Sequence, residues 1–353
     1  MKYRLLTAFS KLLTLGLTAN KVKRYFKGQE PPPNIQQRQA STVTAAAVQV
    51  KLRYYGSIKR YLSDMQGYVR QAVQQGAGLV VFPELCGQLP LLCLLPARLL
   101  FQKHKNKKIR PSHQKQQGGD LPMLFTALLK GITQRVLVVY LETFSTLARL
   151  YGVTIMAGSI FIYEDGKVHN RAYLFDENGQ LIATQNKAHP VVLEQELGLT
   201  PAKEIKVADT SQGRLAFPVC MDATYFETFK IAKGLGAQIV LLPIANQEEY
   251  NYYLALCGIE PRIQEAGLYG VKAALVGDIA QQRFTGKAGI FAPCDLTGSE
   301  TGVLAQATSF SSGEVVVSKL DLTLLQRSRS CYRADCNPAF YEKYYSTTYS
   351  AVL

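Results

Sequence analysis

Three side chains in this sequence have the types and settings needed for covalent chemistry: Cys220, Glu84 and Lys187. Cys220 follows the apolar run Leu215, Ala216, Phe217 and Val219, and a helical pattern begins within a few residues. A thiol at a strand-to-helix elbow is held on a rigid base near the positive end of a helix dipole. Both features are expected to favour the thiolate, the reactive form. Taken alone, a Cys after an apolar strand is more often a small buried hydrophobe, and two further stretches change that balance. Leu79, Val80, Val81 and Phe82 form a buried-strand pattern closed by Pro83. Glu84 therefore stands at a strand's C-terminal end, where α/β folds bind their ligands. A second strand pattern over 181–186 leads to Lys187. The three stretches supply a carboxylate base, an ammonium and a thiol, each at the tip of a separate strand.

The elements that must carry these tips follow from the hydrophobic periodicity. Residues 42–50 read as a buried strand, 57–75 as a helix, and Gly76 to Gly78 as the stop before the Glu84 strand, a β-α-β unit. A helix is expected over 144–151. Strands at 153–163 and 168–175 are joined by the turn Glu164-Asp165-Gly166-Lys167. Residues 205–208 and 214–219 read as another strand pair ending at Cys220. A helix follows from about Phe226, then a strand at 238–243, a helix over 250–269 and a strand at 271–277. Residues 287–292 and 315–320 complete the strands. Helices alternating with strands, several of them paired in hairpins, suit two sheets packed face to face with helices outside.

Three motifs carry a family resemblance: Phe82-Pro83-Glu84, Asn186-Lys187-Ala188-His189, and the stretch from Val219 through Cys220, Met221 and Asp222 to Glu227. In this order and strand context they resemble the Glu-Lys-Cys signature of the nitrilase superfamily of carbon-nitrogen hydrolases, over about residues 42–345. The resemblance implies a four-layer α-β-β-α sandwich. It implies a thiol amidohydrolase that cleaves a non-peptide C–N bond of a small linear amide or nitrile. Cys220 would attack to form a thioester, Glu84 would act as base, and Lys187 with the Met221 N–H would stabilise the oxyanion, releasing ammonia or an amine. The family often carries a second Glu after the Lys; Glu194 and Glu196 both fit, Glu194 with the better spacing, to orient Lys187 or handle a proton. Asp222 and Glu227 read as local structure around the elbow. Asn246 ends a strand on the same side, as a pocket-lining or a turn residue. Pro190 and Tyr225-Phe226 depart from the usual motif and bear on pocket shape. Two other chemistries compete. One is a Cys-His pair using His189, which leaves Glu84 and Lys187 unexplained. The other is N-acyl transfer from the thioester to an amine at a membrane surface.

The net charge of +14 is unevenly placed. Residues 1–29 carry seven Lys or Arg and no acid, and residues 98–117 carry seven more and again no acid. Of the 40 basic residues, the other 26 balance the 26 acidic ones. Residues 1–27 place Leu5, Phe9, Leu12, Leu13 and Gly16 at helical spacing, a basic amphipathic helix suited to an anionic membrane surface or to packing on the domain. A Pro-rich linker runs to residue 41. The hydrolase domain spans 42–330, with an apolar-basic-apolar insertion at about 88–140, either a substrate lid, a membrane-touching element or a peripheral helix pair. A Tyr-rich arm, 331–353, is expected to pack on a partner subunit or on its own domain. Seven Cys without paired spacing point to a reducing, cytoplasmic setting, peripheral to the membrane at most. Cys331 and Cys336 lack the further ligands of a zinc site, and no metal or cofactor is expected. No run of eighteen uncharged apolar residues occurs. The basic segments lack interleaved aromatics, against specific nucleic-acid binding. A homo-oligomer is expected from the family resemblance.

Overall fold

The computed structural model describes residues 2–30, 41–94, 96, 98, 120–279, 282–331, 337, 339 and 342–344. Much of the basic insertion, most of the Tyr-rich arm, most of the linker, Cys336, His104 and His113 lie outside them. The chain opens with helices α1 (Lys2–Leu13) and α2 (Ala19–Phe26), then β1 (Thr42–Lys51), α3 (Ile58–Gln74) and β2 (Leu79–Val81). A 3-10 turn at Cys86–Cys93 precedes α4 (Leu121–Tyr151), followed by β3 (Thr154–Glu164), β4 (Lys167–Phe175), β5 (Leu181–Asn186) and the short α5 (Val192–Glu196). Next come β6 (Val207–Thr210), β7 (Gly213–Ala216), α6 (Phe226–Gly234), β8 (Ile239–Ile244), α7 (Tyr252–Ala255) and α8 (Ile259–Ala266). The last elements are β9 (Tyr269–Ile279), β10 (Gln282–Phe284), β11 (Gly289–Phe291), β12 (Val303–Gln306), β13 (Glu314–Asp321) and α9 (Leu322–Cys331).

The strands form two half-sheets. One runs β5-β4-β3-β2-β1, with β13 antiparallel along the other edge of β1. The second runs β6-β7-β8-β9, extended by β11 and β12, while β10 pairs with the end of β9. Among the described residues, the strands of the two halves pair only where Gln49, Val50 and Lys51 of β1 meet Ala274, Leu275 and Val276 of β9. The sheet therefore folds over on itself, and alternation along each strand decides which layer a side chain enters. Val43, Ala45, Ala47 and Val81 face Leu215, Leu241, Val271 and Ala273 in the inner layer. Ala46, Val48 and Val80 point outward to Leu62 and Met65 of α3 and Tyr140 and Phe144 of α4. On the far side Val240, Leu242 and Ala274 pack on Phe229 of α6 and Ile259 and Ile263 of α8. This is the four-layer α-β-β-α sandwich.

Several expectations change in detail. The basic N-terminal segment is two helices, broken between Leu13 and Ala19, rather than one. The helix expected over 144–151 is the last quarter of the 31-residue α4, which absorbs the apolar 121–129 stretch. Gly131 lies inside it, where a Cβ would collide with Ser10 of α1. Although α4 is long and apolar enough to cross a membrane, its C-terminal half is a core helix, with Val139, Tyr140, Phe144 and Leu147 buried. The helix expected over 250–269 is α7 and α8, separated at Gly258, with Tyr269 already in β9. The strand β12 had no counterpart in the sequence reading.

Candidate active site

Glu84 stands just past β2, in a turn that leaves little room. Leu85 adopts a left-handed φ of 61° and its N–H donates to Ser159 Oγ at 3.2 Å. Gly158 on β3, at φ 77°, lies so close that a Cβ would collide with the Pro83 carbonyl. The Glu84 side chain is buried, and its Oε1 accepts from Lys187 Nζ at 2.9 Å and from Asn170 Nδ2 at 2.8 Å. Lys187 follows β5; its N–H donates to the Asn170 carbonyl at 2.8 Å, fixing the strand tip. Its ammonium is shared with Glu194 Oε2 at 2.8 Å. Glu194 reaches this position from the first turn of α5, where the same Oε2 accepts the Val191 N–H at 2.9 Å. Glu196, the other acidic candidate, is exposed.

Asn170 was not among the expected site residues. Its amide nitrogen bridges the two carboxylates, at 2.8 Å from Glu84 Oε1 and 3.0 Å from Glu194 Oε1. This fixes the amide's orientation, since a flipped amide would set its oxygen against both carboxylates. The sequence does carry a signal. Val168, Ala172 and Leu174 share one face of β4 by the two-residue repeat, and Asn170 is the polar member of that inward face.

Cys220 is carried by the other half-sheet, four residues past β7, at a left-handed φ of 47° that a non-glycine residue adopts only when its surroundings impose it. The imposing group is Asp222. It is fully buried and accepts the Val219 N–H (2.8 Å), the Ala188 N–H (3.1 Å), the His189 N–H (2.7 Å) and His189 Nδ1 (3.0 Å). One carboxylate thus ties the elbow bearing Cys220 to the loop bearing Lys187. His189 is engaged by Asp222 and stacked on Tyr225 with ring centroids 4.1 Å apart, and no contact joins it to Cys220 among the described residues. Its part is in the loop tie, not in a Cys-His pair. Asn246, just past β8, places Oδ1 at 3.6 Å from Cys220 Sγ. The Met221 N–H has no protein partner among the described residues.

The electrostatics of this cluster follow from burial and three charges. Burial pushes the Glu84 carboxyl up, Lys187 pulls it down and Glu194 pushes it up again; the net is above the usual carboxylate range. Burial alone would lower the Lys187 pKa, but Glu84, the Cys220 sulfur and Glu194 overturn that, so it stays an ammonium. The Cys220 thiol is raised well above the usual thiol range by burial and then by the Glu84 charge, with Lys187 and the Ala245 backbone opposing. This corrects the expectation of a resting thiolate. A 3-10 turn (Cys220–Thr224) follows the nucleophile, and α6 begins only at Phe226, too far to act through its dipole. The arrangement can hold a neutral thiol against a proton acceptor, beside a fixed cation and an unused amide donor.

The family model of the carbon-nitrogen hydrolases matches residues 44–329. The probable hydrolase YhcX of Bacillus subtilis is 27% identical over 312 residues, covering 87% of this chain and 53% of that protein. The chain thus spans about half the length of that relative. A citrullinase of Francisella tularensis is 23% identical over 200 residues, 56% of this chain and 59% of that protein. Among solved structures, a mutant of the amidase from Nesterenkonia sp. AN1 in complex with butyramide superposes with a TM-score of 0.60 at 18% identity, covering 87% of this chain and 98% of that one. A second mutant of that amidase, showing covalent addition of the acetamide moiety of fluoroacetamide at the active site cysteine, gives 0.61 at 18% identity with the same coverage. With the family match running through both half-sheets and all three motifs, the chain belongs to the carbon-nitrogen hydrolase family.

Proposed function

We propose that the protein is a thiol amidohydrolase that cleaves the C–N bond of a small linear amide through a thioester on Cys220. The observation that carries this reading is the buried cluster that brings the Cys220 thiol under the influence of Glu84, whose carboxylate shares the Lys187 ammonium with Glu194. As Sγ attacks the amide carbonyl, the thiol proton passes to Glu84. The oxyanion of the tetrahedral intermediate is held by Lys187 Nζ and the Met221 N–H. Glu84 returns its proton to the leaving nitrogen, the C–N bond breaks, and ammonia departs from the thioester. Water then attacks with Glu84 as base, and collapse releases the acid and restores the thiol. Glu194 and Asn170 orient the ammonium and carboxylate, and Asn246 lines the pocket beside the sulfur. The butyramide and fluoroacetamide named for the structural neighbours support a short, uncharged acyl group.

The test is ammonia release from a panel of short aliphatic amides, omega-amides, N-carbamoyl amines and nitriles. Intact mass should show an acyl adduct on wild type under turnover and none on Cys220→Ser, which should release no ammonia. Full turnover by Cys220→Ser would sink the mechanism. An acyl adduct discharged by added amine and not by water would mark an acyltransferase.

The raised carboxyl sets the pH dependence. Glu84 must be ionised to take the thiol proton, so kcat/KM should rise with pH through its pKa, above the ordinary glutamate value of 4.5. The thiol and Lys187 are both pushed up, so no fall should occur through pH 9, where an ordinary thiol ionises. An acid limb at or below pH 4.5 would contradict the assignment of Glu84 as base.

A further inference from the structure

The helix α1 meets α4 through hydroxyl groups, with Tyr3, Leu6 and Leu13 half-buried beside them. Thr7 Oγ1 donates to the Ala127 carbonyl at 2.9 Å, Ser10 Oγ reaches the Leu128 carbonyl at 3.4 Å, and Thr14, just past the helix and bonded to the Ser10 carbonyl at 3.1 Å, is fully buried. Ser10 sits over Gly131, where no side chain could fit. The opposite face carries Leu5, Phe9 and Leu12, exposed at 62, 58 and 63%, and Leu15 in the turn just past the helix is exposed at 53%. A helix on a water-facing surface normally does the reverse, since each exposed apolar side chain forgoes the gain of burial. Small and hydroxyl-bearing residues at a close helix contact, with leucines outside, are instead the pattern of helices that meet in lipid.

The position of α1 presents this stripe away from the domain. At 100° per residue, Ala127 and Gly131, which α1 contacts, lie on the side of α4 opposite Leu129, Val136 and Tyr140, which enter the core. So α1 is the outermost layer, and exposed Leu128 of α4 flanks it. On the same wheel Arg4 and Lys11 border one side of the stripe and Lys2 the other. Residues 2–27 carry seven basic side chains and no acid.

From this face we infer that the protein docks onto an anionic lipid bilayer, with Leu5, Phe9, Leu12 and Leu15 among the acyl chains and Lys2, Arg4 and Lys11 at the phosphates. The charge decides the occupant. A second copy would bring the same seven cations to an isologous contact, where the nearby acids Asp120 and Glu142 already pair with Lys2 and Lys23 of their own chain and leave most of the positive charge unopposed. An anionic headgroup layer is complementary, and long basic side chains reach it while their stems stay on the apolar stripe. The helix lies along the surface rather than through it, because its inner face is occupied by α4.

The test is flotation of the full-length protein with phosphatidylcholine vesicles and with vesicles containing about 30 mol% phosphatidylserine, the anionic lipid of such surfaces. Wild type should partition at least about tenfold better onto the anionic vesicles. Leu5→Asp/Phe9→Asp and Arg4→Glu/Lys11→Glu should each lower that partition about tenfold or more. These four side chains are exposed, so both variants should keep the wild-type circular dichroism and ammonia release from a soluble amide. Failure of wild type to float with anionic vesicles would overturn the inference, as would equal flotation of Leu5→Asp/Phe9→Asp. Sedimentation provides a further arm: a dimer that the aspartate pair converts to monomer, without vesicle binding, would assign the stripe to a second copy. Binding is read without turnover, so this result and that of the amidase assay stand apart.

Discussion

Replacing Glu84 by Gln should lower kcat/KM by about 10⁴-fold, the upper part of the range for a group that transfers a proton, while Cys220 becomes more reactive toward iodoacetamide at pH 7. The two effects run in opposite directions for one reason. The amide of Gln can still accept from Lys187 and Asn170 at the distances Glu84 now does, 2.9 and 2.8 Å, but it cannot take the thiol proton. At the same time the negative charge that helps hold the thiol neutral is gone, and Lys187, which favours the thiolate, remains. A neighbouring charge changes the ionised fraction of such a group by about tenfold or more, so alkylation should quicken by about that factor. A parallel loss of turnover and alkylation would mean that Glu84 supports a thiolate and is not the acceptor for a neutral thiol.

Lys187→Met should be the most destabilising single change in the site. Lys187 is the cation common to two buried carboxylates, at 2.9 and 2.8 Å, and its side chain is 3% exposed. Removing one partner of a buried ion pair costs about 3–5 kcal/mol, because the other is left charged and unpaired. Urea unfolding should show a loss of that size, and turnover should fall by at least the 10²–10³-fold, roughly, of one oxyanion donor. The control is the same substitution on Glu84→Gln/Glu194→Gln, where no charge is stranded. There Lys187→Met should cost far less stability. Equal costs in the two backgrounds would show that the methylene stem, and not the ammonium, carries the effect.

The half-sheets and their faces were legible because buried strands leave unbroken apolar runs, and the catalytic candidates stand where such runs stop. Phe82-Pro83 ends one and Val219 another, while Lys187 follows a partly exposed strand ending at Asn186. What joins the candidates was less legible. Asn170 lies in mid-strand, where a polar residue reads as the solvent side of the pleat unless the two-residue repeat is followed inward. Asp222 was read as local structure, which it is, but its hydrogen bonds also cross to the Lys187 loop, a tertiary contact with no local pattern. The resting state of the thiol was misjudged because a helix dipole is inferred from neighbours in sequence, whereas burial and Glu84 act through space. The extent of α4 was not legible because its N-terminal part was read as the end of an insertion at about 88–140, whereas it packs on α1, more than a hundred residues away.

The seam between the half-sheets sets an order of events during synthesis. Glu84, Asn170, Lys187 and Glu194 all belong to the first half of the sandwich and leave the ribosome before Cys220, which belongs to the second. The long edge of β1 stays open until β13, the last strand, arrives to pair along Thr42 to Gln49. A nascent chain therefore carries a proton acceptor and a cation with nothing to activate, and an exposed strand edge with nothing to cover it. The first deficit ends when Cys220 emerges, and the second only when β13 does. A chain that stops short of β13 leaves β1 open to pairing with other polypeptides.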